Sequence, residues 1–218
     1  MKYVMSDLHG RYDKFLEMLD LIDFKDEDEL YILGDIFDRG NQPIEILEYI
    51  WSSKNIFLIK GNHEEMFERC YEDETNLMLW MHNGGAPTYR ALESRGKDFI
   101  EKTYNYIKNL PLFLKVDDYI LAHAGLYIPI NSDDLSIDEL LNLQTDEYLL
   151  WDRELTLNTQ RIKDFTIILG HTPTITINNS ACIIHKEGKI LIDCGAVFDS
   201  YNGKLACLCL DNKKEFYV

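Results

Sequence analysis

An α/β fold, with two mixed β-sheets packed face to face between helices, is what this chain predicts, on three observations. Short apolar runs recur down its 218 residues. In the first seventy these runs alternate with helical patterns, whereas the second half holds strand-like runs joined by hairpin-type breaks. Between the halves, about 76–109, lies a helical stretch rich in large apolar residues.

The elements follow in order. Tyr3-Val4-Met5 reads as a strand, and Tyr12 to Ile22 as a helix with Phe15, Leu16, Leu19 and Ile22 on one face. Leu30 to Leu33 is a second strand. Pro43 suits the first turn of the next helix, which carries Ile44, Leu47 and Ile50. Ile56 to Ile59 is a third strand, with a helix from about Glu64. This βαβαβα order predicts a parallel sheet covered by helices. The segment 76–109 then breaks the rhythm and is expected as a small helical cap within a single domain, 1–218. Strands return over 112–116, 119–122, 166–169, 181–185, 189–192 and 205–210. The breaks Asp117-Asp118 and Lys186-Glu187-Gly188 predict hairpins, hence antiparallel pairing.

Composition narrows the class. Hydrophobic residues make up 46% and charged residues 28%, a globular balance. No apolar run approaches the roughly 18 residues of a membrane span, and the N-terminus meets a charge before a signal core could form. A cytoplasmic protein without a membrane partner is the expectation. The formal charge of −16 argues against nucleic acid as a partner, because phosphate contacts need Lys and Arg. Five cysteines without a CxxC pair give neither a disulfide framework nor a thiolate zinc site. Cys207 and Cys209 alternate in an apolar run and are expected on one face of a strand.

The chemistry-bearing residues cluster at strand ends. The first three strands finish in Asp7-Leu8-His9-Gly10, Gly34-Asp35-Ile36-Phe37-Asp38-Arg39-Gly40 and Gly61-Asn62-His63-Glu64. Asp7 and Asp35 are 28 positions apart, and Asp35 and Asn62 are 27, each about one βαβ unit. The carboxyl ends of parallel strands converge on one crevice, so these residues should meet. Two later strands add His123-Ala124-Gly125 and Gly170-His171-Thr172. A single strand-end Asp or Gly-His is ordinarily a turn or cap. Five in series point to a site.

With these motifs the chain resembles the phosphoprotein phosphatase branch of the calcineurin-like metallophosphoesterases, over nearly its whole length. Within it, the lambda-type protein phosphatases and the diadenosine tetraphosphatases are most similar. The resemblance implies that Asp7 and His9 bind a first metal, Asp35 bridges, and Asn62, His123 and His171 bind a second. Such mixed donors suit Mn, the favoured ion, or Fe, Zn or Ni better than Mg or Ca. It also implies that His63 is the general acid, paired with Asp38, and that Arg39 and Arg153 clamp phosphate. For the second clamp Arg161 is a nearby competitor of Arg153. His82 and His185 are expected in surface or structural roles, Glu64 in capping, and Asn83-Gly84-Gly85-Ala86 as a family-like loop or a turn between helices.

The chain departs from the family pattern at Ser6, at Cys194 in Asp193-Cys194-Gly195, and after Phe198, where Asp199-Ser200-Tyr201-Asn202 precedes Gly203. The implied activity is a phosphomonoesterase, foremost a protein serine/threonine, and also tyrosine, phosphatase. The alternative is hydrolysis of diadenosine tetraphosphate or another small phosphometabolite, and a catalytically silent metal-binding scaffold is the remote one.

Overall fold

The structure, a computed structural model, describes residues 1–218. Strands β1 (Lys2–Met5), β2 (Glu29–Ile32) and β3 (Ile56–Leu58) run parallel. Helices α1 (Tyr12–Leu21) and α2 (Pro43–Ser52) connect them, and β3 leads into α3 (Asn62–Glu72). On the far side of β1 lie β9 (Ala206–Cys209) and β10 (Glu215–Tyr217), giving the order β10-β9-β1-β2-β3 with β9 antiparallel to both neighbours. The second sheet contains β4 (Phe113–Val116), β5 (Tyr119–Ala122), β6 (Thr166–Leu169), β7 (Ile184–Lys186) and β8 (Lys189–Leu191), in the order β4-β5-β6-β8-β7. Here β5, β6 and β8 are parallel, and β4–β5 and β7–β8 are the two expected hairpins. Left-handed Asp117 and Gly188 turn them.

Period-two alternation assigns each strand residue to a layer. Val4, Tyr31, Leu121, Ile168, Ile190 and Leu208 meet between the sheets. Met5, Leu30, Ile32, Cys207 and Cys209 face the α1–α3 layer, so the two cysteines do share a face. Ile120, Ala122, Ile167 and Leu169 pack outward under α7 (Ile137–Asn142), α8 (Asp146–Trp151) and α9 (Glu154–Leu157). All five cysteines are free. No helix is long and apolar enough to cross a membrane.

Segment 76–109 holds α4 (Leu77–His82), α5 (Ala86–Arg95) and α6 (Lys97–Lys108), and α10 (Thr174–Asn178) follows β6. The three helices lean on α2 and α3: Arg95 pairs with Glu48, and the Tyr71 and Tyr104 rings stack 4.2 Å apart. Two expectations differ from the observed fold. The strand expected over 181–185 starts only at Ile184, because Ala181 and Ile183 fill the inter-sheet core without joining a ladder. Strand β10 went unanticipated; it is a three-residue edge strand behind Lys213-Lys214.

Candidate active site

The carboxyl ends of β1, β2, β3, β5 and β6 open on one crevice, and the loops leaving them are cross-linked. His9 N donates to Asp35 O at 2.8 Å, Gly10 N to Ile36 O at 2.9 Å and Gly40 N to His9 O at 3.0 Å. Asp7, His9, Asp35, Asp38, Arg39 and His171 all adopt positive φ, between 43° and 70°. Non-glycine residues rarely take this conformation, and such strain concentrates at functional sites. Gly61 is required because a Cβ there would overlap the Asp35 carboxylate and backbone.

Glu64 fixes these loops. Fully buried, it accepts from Asp35 N (2.7 Å), Ile36 N (3.0 Å), Phe37 N (3.2 Å) and Gly61 N (2.9 Å). It does cap α3, as expected of it, and it also ties the β2 loop to the β3 loop. Burial pushes its carboxyl up to about 7, against the pull of the backbone donors.

In the crevice, His123 Nε2 lies 2.9 Å from Asn62 Oδ1 and 3.5 Å from Asp35 Oδ1, and His171 Nδ1 lies 3.1 Å from Asn62 Oδ1. His9 Nε2 lies 3.7 Å from Asp35 Oδ2. Tautomers follow from the far nitrogens. His123 Nδ1 donates to Leu33 O at 2.7 Å and His9 Nδ1 to Phe37 O at 2.9 Å, so each Nε2 carries a lone pair. Burial keeps His9, His123 and His171 neutral, lowering each below the ordinary imidazole value. Burial, then Asp7 and Glu64, drive the Asp35 carboxyl well upward. At His123 the Nε2 lone pair faces Asn62 Oδ1 and Asp35 Oδ1, an arrangement that repels unless a cation lies between them. Two donor groups, His9–Asp35–His63 and Asp35–His123–His171, each lie within 4.8 Å and share Asp35. The residues therefore fit a pair of divalent ions bridged by one carboxylate. Asp7 stands outside both groups: its Oδ2 accepts from Ser6 Oγ and from His171 N at 3.0 Å.

Beside these donors, His63 Nδ1 donates to Asp38 Oδ2 at 2.7 Å. The same oxygen accepts from Trp80 Nε1 in α4 at 2.8 Å, and Asp38 N donates to Thr88 Oγ1 at 2.7 Å. Burial pushes Asp38 up to about 7, with Thr88, Trp80 and Arg39 pulling it down. The Arg39 guanidinium spans His9 Nε2 (2.7 Å) and His63 Nε2 (3.0 Å).

A model of calcineurin-like phosphoesterases matches residues 3–201. The chain belongs to the calcineurin-like phosphoesterases. Among curated relatives, the symmetrical bis(5'-nucleosyl)-tetraphosphatase of Wigglesworthia glossinidia brevipalpis is 44% identical over 146 residues, 61% of this chain and 47% of that protein. The enzyme of the same name from Buchnera aphidicola subsp. Acyrthosiphon pisum is 38% identical over 137 residues, 57% and 44% of the two chains. The chain thus spans about half the length of the curated relatives it matches. Solved structures share the fold. A protein provisionally described as a diadenosine tetraphosphatase superposes with TM-score 0.66 at 18% identity, over 100% of this chain and 92% of that one. The cold-active protein-tyrosine phosphatase of a Shewanella species gives 0.61 at 19%, over 99% and 79%. A Saccharomyces cerevisiae serine/threonine phosphatase gives 0.61 at 15%, over 100% and 78%.

Around this calcineurin-like centre, Arg153 Nη1 donates to Thr172 Oγ1 at 3.1 Å and His171 O at 3.3 Å, whereas Arg161 pairs with Glu187 on the β7–β8 hairpin. His185 pairs with Glu215, and His82 is an exposed residue ending α4. Gly84 both turns α4 into α5 and accepts from Arg39 N at 2.9 Å, so that loop supports Arg39. Sequence reasoning missed Trp80: nothing in its local pattern marks a residue 42 positions from the carboxylate it contacts. It also gave Asp193 no role, although this buried residue accepts from Gly195 N at 2.8 Å and is pushed well upward by burial and Asp7.

Proposed function

We propose that this chain is a metal-dependent hydrolase of dinucleoside polyphosphates, with diadenosine tetraphosphate as the model substrate. The single observation behind the substrate is the relationship at 44% identity to a symmetrical bis(5'-nucleosyl)-tetraphosphatase. The protein phosphatase reading, the foremost one implied by the resemblance, becomes second, because its support is likeness of fold at 21% identity or below.

In this reading Asp7 and His9 serve the first ion, Asp35 both, and Asn62, His123 and His171 the second, with manganese as the expected metal. When bound, two such ions supply a water acidified toward neutral pH and positive charge at the phosphoryl oxygens. Arg39 and Arg153 bind those oxygens bidentately, orienting phosphorus for in-line attack. His63 is held neutral here by burial, with Nδ1 on Asp38 and Arg39 facing Nε2, and it would take up a proton at Nε2 to serve the leaving oxygen as general acid. Asp38 orients the imidazole and stabilises its charged form, and Trp80 holds Asp38. The helical segment 76–109 acts as a cap that supports this relay through Trp80 and Gly84.

Purified protein with Mn, given diadenosine tetraphosphate and a phosphopeptide panel in parallel, tests the assignment by product chromatography. The expected product is nucleoside diphosphate, at a kcat/KM at least tenfold above that for any phosphopeptide. The reverse order would return the protein phosphatase to first place.

A further inference from the structure

We propose that Arg11 and Lys14 form a second phosphate subsite beside Arg39, which takes the chain phosphates next to the one attacked and is guarded by Asp199. The proposal rests on the phosphohydrolase reading above and deepens it. A polar cleft of about 390 Å³ is lined by Arg39, Gly40, Gln42, Arg11, Val197 and Asp199, and Lys14 stands behind it, paired with Asp199. Asp13, also in the lining, receives Arg11 Nε at 2.9 Å and Nη2 at 2.7 Å, which fixes the guanidinium plane. The remaining Nη1 donates to Asp199 Oδ2 at 2.7 Å and Ala196 O at 3.1 Å. Lys14 Nζ donates to Asp199 Oδ1 at 3.1 Å, to Ala196 O at 2.9 Å and to Gly203 O at 3.0 Å.

Asp199 is therefore an anion bridging two cations at the rim of the cleft. Its side chain is 66% exposed while Arg11 and Lys14 are 18% and 11% exposed, so the cations are built in and the carboxylate can leave. Exposed ion pairs hold weakly, and a multiply charged phosphate competes well against a single carboxylate. Phe198 links Arg39 to this bridge: its ring lies 5.8 Å from the Arg39 guanidinium carbon, and the next residue is Asp199. A linear polyphosphate lying in the cleft would meet both Arg39 and Arg11, and would meet Lys14 once Asp199 is displaced. A phosphopeptide presents one phosphate and gains nothing there. The departing loop after Phe198 thus becomes a specificity element.

Calorimetric titration of the metal-loaded protein with orthophosphate and with tripolyphosphate tests this without turnover. Orthophosphate reaches the metal end only, whereas tripolyphosphate reaches both. In Arg11→Ala the ratio of the two Kd values should shift at least tenfold against tripolyphosphate. In Asp199→Asn, an exposed change that preserves shape, it should shift threefold or more in its favour. Ratios unchanged in both variants, or moving the same way, would show that these ion pairs merely pin the loop and would overturn the proposal. Failure of the function reading looks different: tripolyphosphate responds to both substitutions while diadenosine tetraphosphate is not cleaved.

Discussion

At the scale of single residues, the relay Trp80–Asp38–His63 makes a prediction about leaving groups. A nucleoside diphosphate leaves as a weakly basic anion and needs little protonation, whereas an alkoxide needs a proton in the transition state. His63→Asn should therefore lower kcat by about 10²–10⁴ on an alkyl phosphate, the usual range for general acid catalysis, and by distinctly less on diadenosine tetraphosphate. Steady-state kinetics on the two substrates measure this. Equal losses on both would mean that His63, which also belongs to the His9–Asp35 donor group, acts through the metals instead. His63 and Asp38 lie in strand-end motifs next to candidate metal donors, and their pairing, which the family resemblance implies, is present as a 2.7 Å contact. The sequence left Trp80 silent because the contact is made by an indole N–H from another element, and no local pattern encodes that.

At the scale of elements, strand ends were legible because period-two burial and the βαβ repeat are written locally. What was not legible depends on the partner rather than the segment, as with the pairing of β10 and the unladdered Ala181 and Ile183. Glu64 is the same case: its capping position could be read, and its hold on three amides of the β2 loop could not. Glu64→Ala should leave four buried N–H groups without an acceptor. At about 1–3 kcal/mol for each group left unsatisfied, a loss of several kcal/mol is expected even after partial relaxation. Urea unfolding at pH 7 should detect it as a lower midpoint.

Lys189 offers a second prediction at this scale. Buried in β8, it donates from Nζ to Leu155 O at 2.7 Å and Asn158 O at 2.8 Å, pinning the end of α9 near Arg153. Burial, then Lys186, lowers its ammonium to about 8. The unfolded chain therefore binds more protons between about pH 8 and 10.5, so this contribution to stability grows as pH rises through that window and is lost as pH falls to 8. Wild type should gain on Lys189→Met between pH 8 and 10, on the order of 1–2 kcal/mol given about 1.4 per pK unit. Unfolding curves for both proteins at the two pH values decide it. A constant difference would mean that the ammonium stays charged throughout.

At the scale of the whole molecule, a chain with formal charge −16 buries Asp7, Asp35, Asp38, Glu64 and Asp193 around one crevice. Without compensation such a centre destabilises the fold, because buried carboxylates repel one another or must take up protons. Two divalent cations held there would reverse the local sign, and in the proposed function the same ions would let an acidic protein accept an anionic substrate. Because they bind the folded state and not the open chain, they stabilise it by mass action, about 2.7 kcal/mol for each site at a free concentration a hundred times its Kd. For a domain of this size each kcal/mol moves Tm by roughly 2–4 °C. Calorimetric scans with Mn and with excess chelator should therefore differ by about 5 °C or more, chelated protein melting first. Asp35→Asn removes the shared donor and with it the metal-dependent part of the stability. It should melt at the same temperature with or without chelator, close to chelated wild type, because burial and the neighbouring carboxylates already favour a protonated, uncharged Asp35 when no metal is bound. If chelated wild type melts as high as the loaded protein, the buried acids are not held by metal, and the centre would have to be stable through protonation alone.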